Sequence, residues 1–283
     1  MNYIETIQRL GKADLHIHSN YSDAKPGIGE ILEYVQNKTD LDIIAITDHD
    51  TIDGALYAKR LMKKKKYRFE LIVGEEISTK EGHVIGLYLN EKITSGLTAE
   101  ETIMIIKKQG GLVLAPHPLR HIRIKTGKNI IDGLDFLTLI KEKKNIDAIE
   151  TLNNTPAFYK DNLRASFFND TFMLKSEIGS SDAHMAEAIG MGFTVFEGKT
   201  ASDLRDAILS CQTRAFHKKW KILGIIKYLF FFLPGGFRLA INSIFHSRNP
   251  KRIQMINLPK KNIKQIAKQL KERSNFFNSQ VKK

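Results

Sequence analysis

Short runs of apolar and β-branched residues recur along most of the chain, separated by longer stretches in which apolar positions return every three or four residues. The runs LDIIAIT (41–47), ELIVG (70–74), HVIGLYL (83–89), GLVLAP (111–116), IDAIETL (146–152) and GFTVFEG (192–198) predict strands. A further apolar run leads into His16. PGIGEILEYVQNK (26–38), DGALYAKRLMKKKK (53–66), TAEETIMIIKKQG (98–110) and SDLRDAILSC (202–211) predict helices. The second and third start behind an Asp or a Thr, and Thr98 has Glu101 three residues on, the spacing of a capping box. Strands alternating with helices predict parallel β/α units, closed as a barrel or opened as a doubly wound sheet.

In either architecture the carboxyl ends of the strands converge on one face, where loops build the site. The histidines fall at those ends. His16 and His18 lie on or just after the first apolar run, His49 follows IIAIT, His117 follows GLVLAP and His184 follows SEIGSSDA. An isolated His-x-His reads as two residues on one strand face, satisfied by hydrogen bonds. Here the pair is followed by Asp23, Asp48-His49-Asp50, Glu75-Glu76, His83, Pro116-His117-Pro118 and Asp182-Ala183-His184. Imidazole nitrogen and carboxylate oxygen suit zinc, manganese and iron, and this supply exceeds the needs of one ion. Two or three ions are expected, and metal ions about 3.5–4 Å apart serve hydrolysis by activating a water and stabilising a leaving oxygen. No Walker loop, GxSxG elbow or GxGxxG fingerprint opens a βαβ unit, so NTPase, serine hydrolase and dinucleotide-binding readings lack their residues.

Composition sharpens this picture in two places. The single cysteine, Cys211, excludes an internal disulfide, and the N-terminal segment lacks the apolar run of a secretory signal; a cytoplasmic protein is expected. The net charge of +13 is uneven: from Arg214 onward 17 Lys or Arg face the single acid Glu272, whereas residues 1–213 are nearly balanced. The basicity describes an appendage and not the main domain.

The set DLHIHSNYSD, ITDHD, GEEIS, GHVIG, APHP and SSDAH resembles the PHP (polymerase and histidinol phosphatase) superfamily in order and approximate spacing, from about residue 12 to about 214. The segment SSDAHMAEAIGMGFTVFEGKTASDLRDAILSCQTR also resembles the part that closes small PHP phosphoesterases. The resemblance implies an α/β fold, a distorted (β/α)7 barrel, with a trinuclear site at the strand ends. Carried over residue by residue, it implies that His16, His18, Glu76 and Asp182 hold one ion. Glu76 then bridges to a second ion held by His83 and His117, and Asp23, His49 and His184 hold the third. The ions are expected to be manganese, zinc or iron, with magnesium also admitted, and the nucleophile a metal-bound hydroxide. Family members hydrolyse phosphate mono- or diesters, including histidinol phosphate, nucleoside bisphosphates and the 5′ ends of short nucleic acids. A phosphorylated small molecule, a nucleotide or an oligonucleotide end is therefore the expected substrate.

Glu75 also lies in GEEIS, but strand alternation puts it opposite Glu76, which matches the family's Gly-x-Glu. Asp48 and Asp50 flank His49 and are expected to orient imidazoles instead of ligating. Arg120, in PHPLRH, falls where small phosphoesterases of the family often place an arginine near the substrate phosphate; a surface-loop arginine is the plainer alternative. His121, His217 and His246 match no motif.

Residues 1–214 are thus expected to form a PHP phosphoesterase domain, and 215–283 a basic, mostly helical extension. WKILGIIKYLFFFLPGGFRLAINSIF (220–245) is apolar and aromatic but broken by Lys227, Pro234-Gly235-Gly236 and Arg238, which argues against a full membrane span. Three readings of the extension stay open. It lies on an anionic membrane surface at the inner face, packs on the barrel or another subunit, or contacts nucleic-acid phosphates. A rival for the whole chain is a non-catalytic metal-binding module serving assembly or membrane docking. Degenerate copies tend to lose ligands, and this chain retains all nine.

Overall fold

The computed structural model describes residues 10–123, 129–156, 158–222 and 224–228. The chain alternates strand and helix through β1 (Leu10–Ile17), α1 (Ile28–Lys38), β2 (Ile43–Ile46), α2 (Asp53–Lys64) and β3 (Glu70–Thr79). It continues through β4 (Gly82–Leu87), α3 (Ala99–Lys108), β5 (Leu112–Ala115) and a small hairpin, β6 (His121–Arg123) with β7 (Asn129–Ile131). α4 (Phe136–Lys141), β8 (Ala148–Asn153), α5 (Tyr159–Phe168) and β9 (Ser176–Ser180) follow, and β10 (Gly192–Glu197), α6 (Ala201–Leu209) and β11 (Arg214–His217) complete the order.

The main sheet runs β11-β10-β1-β2-β3-β4-β5-β8-β9. Its seven central members, β1 to β9 without the hairpin, curl into the expected barrel. Just past β9, Ala183 forms a parallel bridge to Ile17, and Ser181 donates from its backbone N–H and its Oγ to Asp14, so the last strand returns to the first. β10 pairs antiparallel with the opening half of β1 and β11 with β10, a flap added to the edge that the ring leaves free.

Two departures from a regular β/α barrel shape the site. β4 runs antiparallel to both β3 and β5. Only Lys80 and Glu81 separate β3 from β4, too short for a parallel crossover, and Gly82 takes the turn at φ 129°. The second departure is a register shift between Asp14 and Ile17 of β1, where three residues pair along two of β2. Such a bulge inverts the side-chain alternation beyond it. Ala13 and Leu15 accordingly pack inside the barrel with Ile43, Ile72, Ile85, Leu114, Ala148 and Ile178, whereas Ile17 packs outside with α1 residues such as Ile31.

The inner cluster includes Leu204, Ala207 and Ile208 of α6, which stoppers the end of the barrel where β1, β2 and β3 begin. Tyr88 Oη donates to the Ala201 carbonyl at 2.6 Å, and Glu70 accepts from the Ala201 N–H at 2.8 Å. The other end is left to polar side chains.

The expected helices match α1, α2, α3 and α6 within one or two residues, and Thr98 and Glu101 form the reciprocal capping box. α2 differs in detail: Asp53 sits inside its first turn, and Thr51 Oγ1 accepts the Asp53 N–H at 3.1 Å. At the expected boundary of 214, β11 begins; residues 215–217 stay within the sheet. Beyond it the chain folds back toward the polar end. Trp220 Nε1 donates to the Asn154 carbonyl at 2.9 Å, Lys227 pairs with Glu187 at 3.0 Å, and buried Tyr228 packs edge-on to Trp220. The apolar and basic stretches past residue 228, with His246, lie outside the described residues. Among the described residues no helix is long and apolar enough to cross a membrane.

Thr98→Ala removes the side-chain half of the capping box on α3. It should lower unfolding stability by about 1 kcal/mol in urea titration, while Glu101→Ala, which removes the reciprocal half, lowers it less.

Candidate metal centre

Glu76 stands at the middle of the polar end. It faces inward from β3, is 1% exposed, and divides its contacts between two oxygens. Oε1 lies 3.0 Å from His117 Nε2 and 3.1 Å from His83 Nδ1. Oε2 lies 3.0 Å from His16 Nε2, 3.2 Å from His18 Nε2 and 3.4 Å from His49 Nδ1. Five imidazoles from four chain segments thus surround one carboxylate.

Each departure from a regular barrel contributes a member. The bulge in β1 turns both His16 and His18 inward, with ring centroids 4.9 Å apart. The reversal of β4 puts His83, near that strand's start, at the same end as Glu76, near the finish of β3. His117 and Asp182 hold left-handed backbone conformations, φ 25° and 50°, unusual for residues with a Cβ and found where surrounding structure enforces them. Gly133 permits the His117 turn: a Cβ there would lie 2.1 Å from the His117 carbonyl oxygen.

Asp182 supplies a second carboxylate, its Oδ1 3.3 Å from His18 Nε2 and 3.5 Å from both His16 Nε2 and His184 Nδ1. Asp23 lies on the outer flank, 3.2 Å from His184 Nε2 and 3.9 Å from His49 Nε2. All nine residues expected as ligands are therefore gathered in one place, but the clusters cut across the expected sets: His18 joins Asp23, His49 and His184, His117 joins His16 and Asp182, and His49 joins Glu76 and His83. His18, Asp23, His49 and His184 each offer one atom within 4.8 Å of the others, as do His16, His18 and Glu76, and His16, His117 and Asp182. Asp132 enlarges the set by forming such a group with His83 and His117.

Several buried nitrogens here, His18 Nδ1 and Nε2, His83 Nδ1 and His117 Nδ1, form no hydrogen bond despite the nearby oxygens. Buried polar atoms ordinarily do. Within each cluster the candidate ligand atoms lie within 4.8 Å of one another, close enough to share a cation. The donor set, nitrogen with carboxylate oxygen, suits a divalent transition metal.

The electrostatics follow from the crowding. Burial alone would push the Glu76 carboxyl up, but His49, His16, His83 and the hydrogen bond from His117 hold it well below the usual range. Burial likewise works against Asp182 ionisation and is outweighed by His16, His18 and His184. For His18, burial disfavours the charged ring, yet Asp182 and Glu76 push its pKa up to about 9; His117 also reaches about 9, against burial, through Glu76 and Asp132. Protonated rings thus stand in for cations, and an ion binding there must displace their protons.

Asp48 and Asp50 do not orient imidazoles as expected. Asp48 accepts from the Ser19 N–H, Ser19 Oγ and Ser22 Oγ, each at 2.7 Å, fastening the loop that carries Asp23. Asp50 accepts from the Ser78 N–H at 2.7 Å and Oγ at 2.9 Å. Both serve the backbone because they point away from the centre while His49, between them, points in.

The orienting carboxylates lie elsewhere. Glu150 Oε1 is 2.9 Å from His16 Nδ1 and also accepts from Ser180 Oγ; its Oε2 accepts the His117 N–H at 2.6 Å. A His16 proton held at Nδ1 by Glu150 leaves Nε2 as donor atom. Asn153 donates to both Glu150 and Asp182. Asp14, pushed by burial up to about 6, takes hydrogen bonds from Ser181 and Gly190 and ties the Asp182 loop to β1. These acids sit in apolar strand text, ADLHI and IDAIETL. An acid inside an otherwise apolar strand, which burial would forbid without partners, was the available signal.

Arg120 pairs with Asp132 and stacks on Phe158, its guanidinium carbon 3.7 Å from the ring centroid. With 23% side-chain exposure it is half-buried at the rim, one carboxylate removed from His83 and His117. His217 lies apart, in β11, and His121 in β6.

Glu75 faces the other way, as alternation requires. It is fully buried and accepts the Ile93 N–H at 2.9 Å. Burial pushes its pKa up to about 7, countered in part by that hydrogen bond.

A barrel with this end defines a metal-binding protein of the hydrolase type. Residues 14–218 match the PHP domain, and the chain belongs to the PHP family. Among curated proteins, an uncharacterized protein of Methanocaldococcus jannaschii is 40% identical over 166 residues, 54% of this chain and 85% of that one. A second uncharacterized protein of the same organism is 29% identical over 187 residues, 65% and 70%. Among solved structures, a two-domain protein of Bacteroides vulgatus containing a predicted PHP-like metal-dependent phosphoesterase gives a TM-score of 0.57 at 18% identity, covering 74% of this chain and 65% of its own. PsfC of Pseudomonas syringae gives 0.53 at 18% identity, covering 84% and 98%. At such identities the likeness concerns the fold.

Two substitutions test this geometry. Glu150→Gln leaves every donor atom in place but weakens the orientation of His16 and His117, and should lower manganese affinity by about 10–100-fold in calorimetry. Glu75→Gln tests the outward carboxyl. Its folded pKa lies above the unfolded one, so ionisation works against folding as pH rises from about 4.5 toward 7, fully so above that. The metal-free variant should therefore gain up to about 3 kcal/mol over the parent near pH 8, and little near pH 4, in urea unfolding.

Proposed function

We infer that the chain is a metal-dependent phosphoesterase. It hydrolyses phosphate mono- or diesters of small metabolites, nucleotides or oligonucleotide ends at a centre of up to three divalent ions, manganese, zinc or iron. The observation that carries this is the convergence of six imidazoles with Glu76, Asp182 and Asp23, among which His18 Nδ1 and Nε2, His83 Nδ1 and His117 Nδ1 are buried without a hydrogen-bond partner. In this reading His16, His18, Glu76 and Asp182 hold one ion. Glu76 is shared with a second, held with His83 and His117, and Asp23, His49 and His184 hold the third. Bound there, such ions supply a water acidified to near neutrality and Lewis-acid polarisation of the phosphoryl group.

The remaining work belongs to the chain's own groups. His16 and His18 are wholly buried, whereas the side chains of Asp23 and His49 are 55% and 28% exposed. The ester therefore approaches from the Asp23 side, and the inner wall stays dry. Arg120, its plane fixed between Asp132 and Phe158, is set to bind a phosphoryl oxygen by charge-assisted hydrogen bonds and so to orient the ester. Asp132 keeps that guanidinium beside His83 and His117. Glu150 holds His16 and the His117 backbone in register throughout.

Metal-reconstituted protein should release phosphate from members of a panel of nucleotides, sugar phosphates and 5′-phosphorylated oligonucleotides. Asp182→Asn should abolish turnover and metal binding together. Arg120→Ala should raise KM by about 10–100-fold with metal content unchanged. A fully metal-loaded protein inactive across the panel would leave the metal-binding docking module as the better reading.

A further inference from the structure

A cavity of about 550 Å³, a volume ordinary for a small-molecule pocket, is lined by Lys25 and Met185, which follow the candidate ligands Asp23 and His184 in the chain by two residues and one. Two of its walls are the loops that carry Asp23 and His184, joined where the Lys25 N–H donates to the His184 carbonyl at 3.0 Å. The third wall is the chain beyond β11, which brings Ile226 and Lys227 over the opening and is anchored by Trp220 on Asn154. The chain beyond β11 thus takes part in shaping a space bounded by the loops that carry Asp23 and His184.

The lining sets the chemistry of an occupant. Its charges balance, two lysines against two glutamates. Lys227 is engaged with Glu187 at 3.0 Å, while Lys25 and Glu30 have no ion-pair partner among the described residues. That leaves one strong donor and one strong acceptor facing the space, beside the apolar side chains of Pro26, Met185 and Ile226. A second phosphate would meet Glu30 as well as Lys25. A purely apolar group would strip both of water without replacing its hydrogen bonds. Hydroxyl groups accept from an ammonium and donate to a carboxylate, and the C–H face of a sugar ring packs on apolar side chains.

We propose that this cavity is the subsite for the non-reacting part of the substrate, that it takes a polyhydroxylated group such as a sugar ring, and that Lys25 and Glu30 are its hydrogen-bonding side chains. The proposal rests on the phosphoesterase reading above and names the substrate class for it.

The test uses full-length, manganese-loaded protein with ribose 5-phosphate, pentyl phosphate and fructose 1,6-bisphosphate, and with inorganic phosphate as inhibitor. Ribose 5-phosphate should exceed pentyl phosphate in kcat/KM by about tenfold or more. Lys25→Met and Glu30→Gln should each raise KM for ribose 5-phosphate about tenfold and erase that preference. Ile226→Trp, which fills the cavity from the extension, should also raise it. The inhibition constant of inorganic phosphate, which reports on the metal centre alone, should stay within about twofold in all three. A parent enzyme that favours pentyl phosphate or the bisphosphate, or variants that keep the parent's preference, would overturn the proposal. If the parent hydrolyses none of the three esters, the wider panel of nucleotides and 5′-phosphorylated oligonucleotides judges the phosphoesterase reading, which fails if that panel is inert too. Calorimetry of ribose 5-phosphate with parent and Lys25→Met then judges the subsite, equal affinities sinking it.

Discussion

A carboxylate buried inside a barrel is the constraint to which the rest of this molecule answers. Removing an ionised group from water costs several kcal/mol unless charge and hydrogen bonds replace the solvent. Glu76 is almost wholly enclosed, and what replaces solvent is a ring of imidazoles, two at one oxygen and three at the other. That ring brings together residues from β1, β4 and the loops after β2 and β5. The bulge, the reversed strand and the left-handed residues at 117 and 182 are backbone solutions to the same problem of aim. Without ions, the acids beside His16, His18 and His117 hold those rings protonated; an ion bound there would displace their protons.

A second layer keeps the first in place, and it is made almost entirely of acids. Glu150, Asp132 and Asp14 touch imidazoles or the backbone that carries them, while Asp48 and Asp50 hold neighbouring loops through serines. A carboxylate that accepts from two or three donors fixes several segments at once, which a neutral side chain of similar size does less well. The centre's rigidity is therefore distributed over loops that are far apart in sequence.

Much of this was legible before any coordinates. Periodicity located the central strands and four helices, Thr98 announced its cap, and strand-end position together with the resemblance to the PHP family singled out His16, His18, Asp23, His49, Glu76, His83, His117, Asp182 and His184, nine residues that the fold brings together. What stayed hidden depends on direction and not on identity. Alternation on a regular strand cannot show that β1 gains a residue, nor which of its faces His16 takes. The aim of Asp48 and Asp50 was misread because adjacency to His49 says nothing about side-chain direction in a loop where Asp50 adopts φ 54°. Glu150 and Asp132 became apparent only when residues more than 30 positions away, or across a hairpin, were in contact. The return of residues 218–228 to the ligand end is equally non-local.

The ring of strands is joined at one place by little backbone pairing. Between β1 and the end of β9 the link consists of a single bridge, two backbone hydrogen bonds at His16 and His18, and the Asp14 contacts to Ser181 and Gly190. His16, His18 and Asp182 flank that same seam. An ion shared by them would act as a clasp between the first and last staves of the barrel, closing a loop of more than 160 residues. Because the entropy of closing so long a loop falls on the folding chain, occupancy of the centre and circular closure of the protein become one equilibrium.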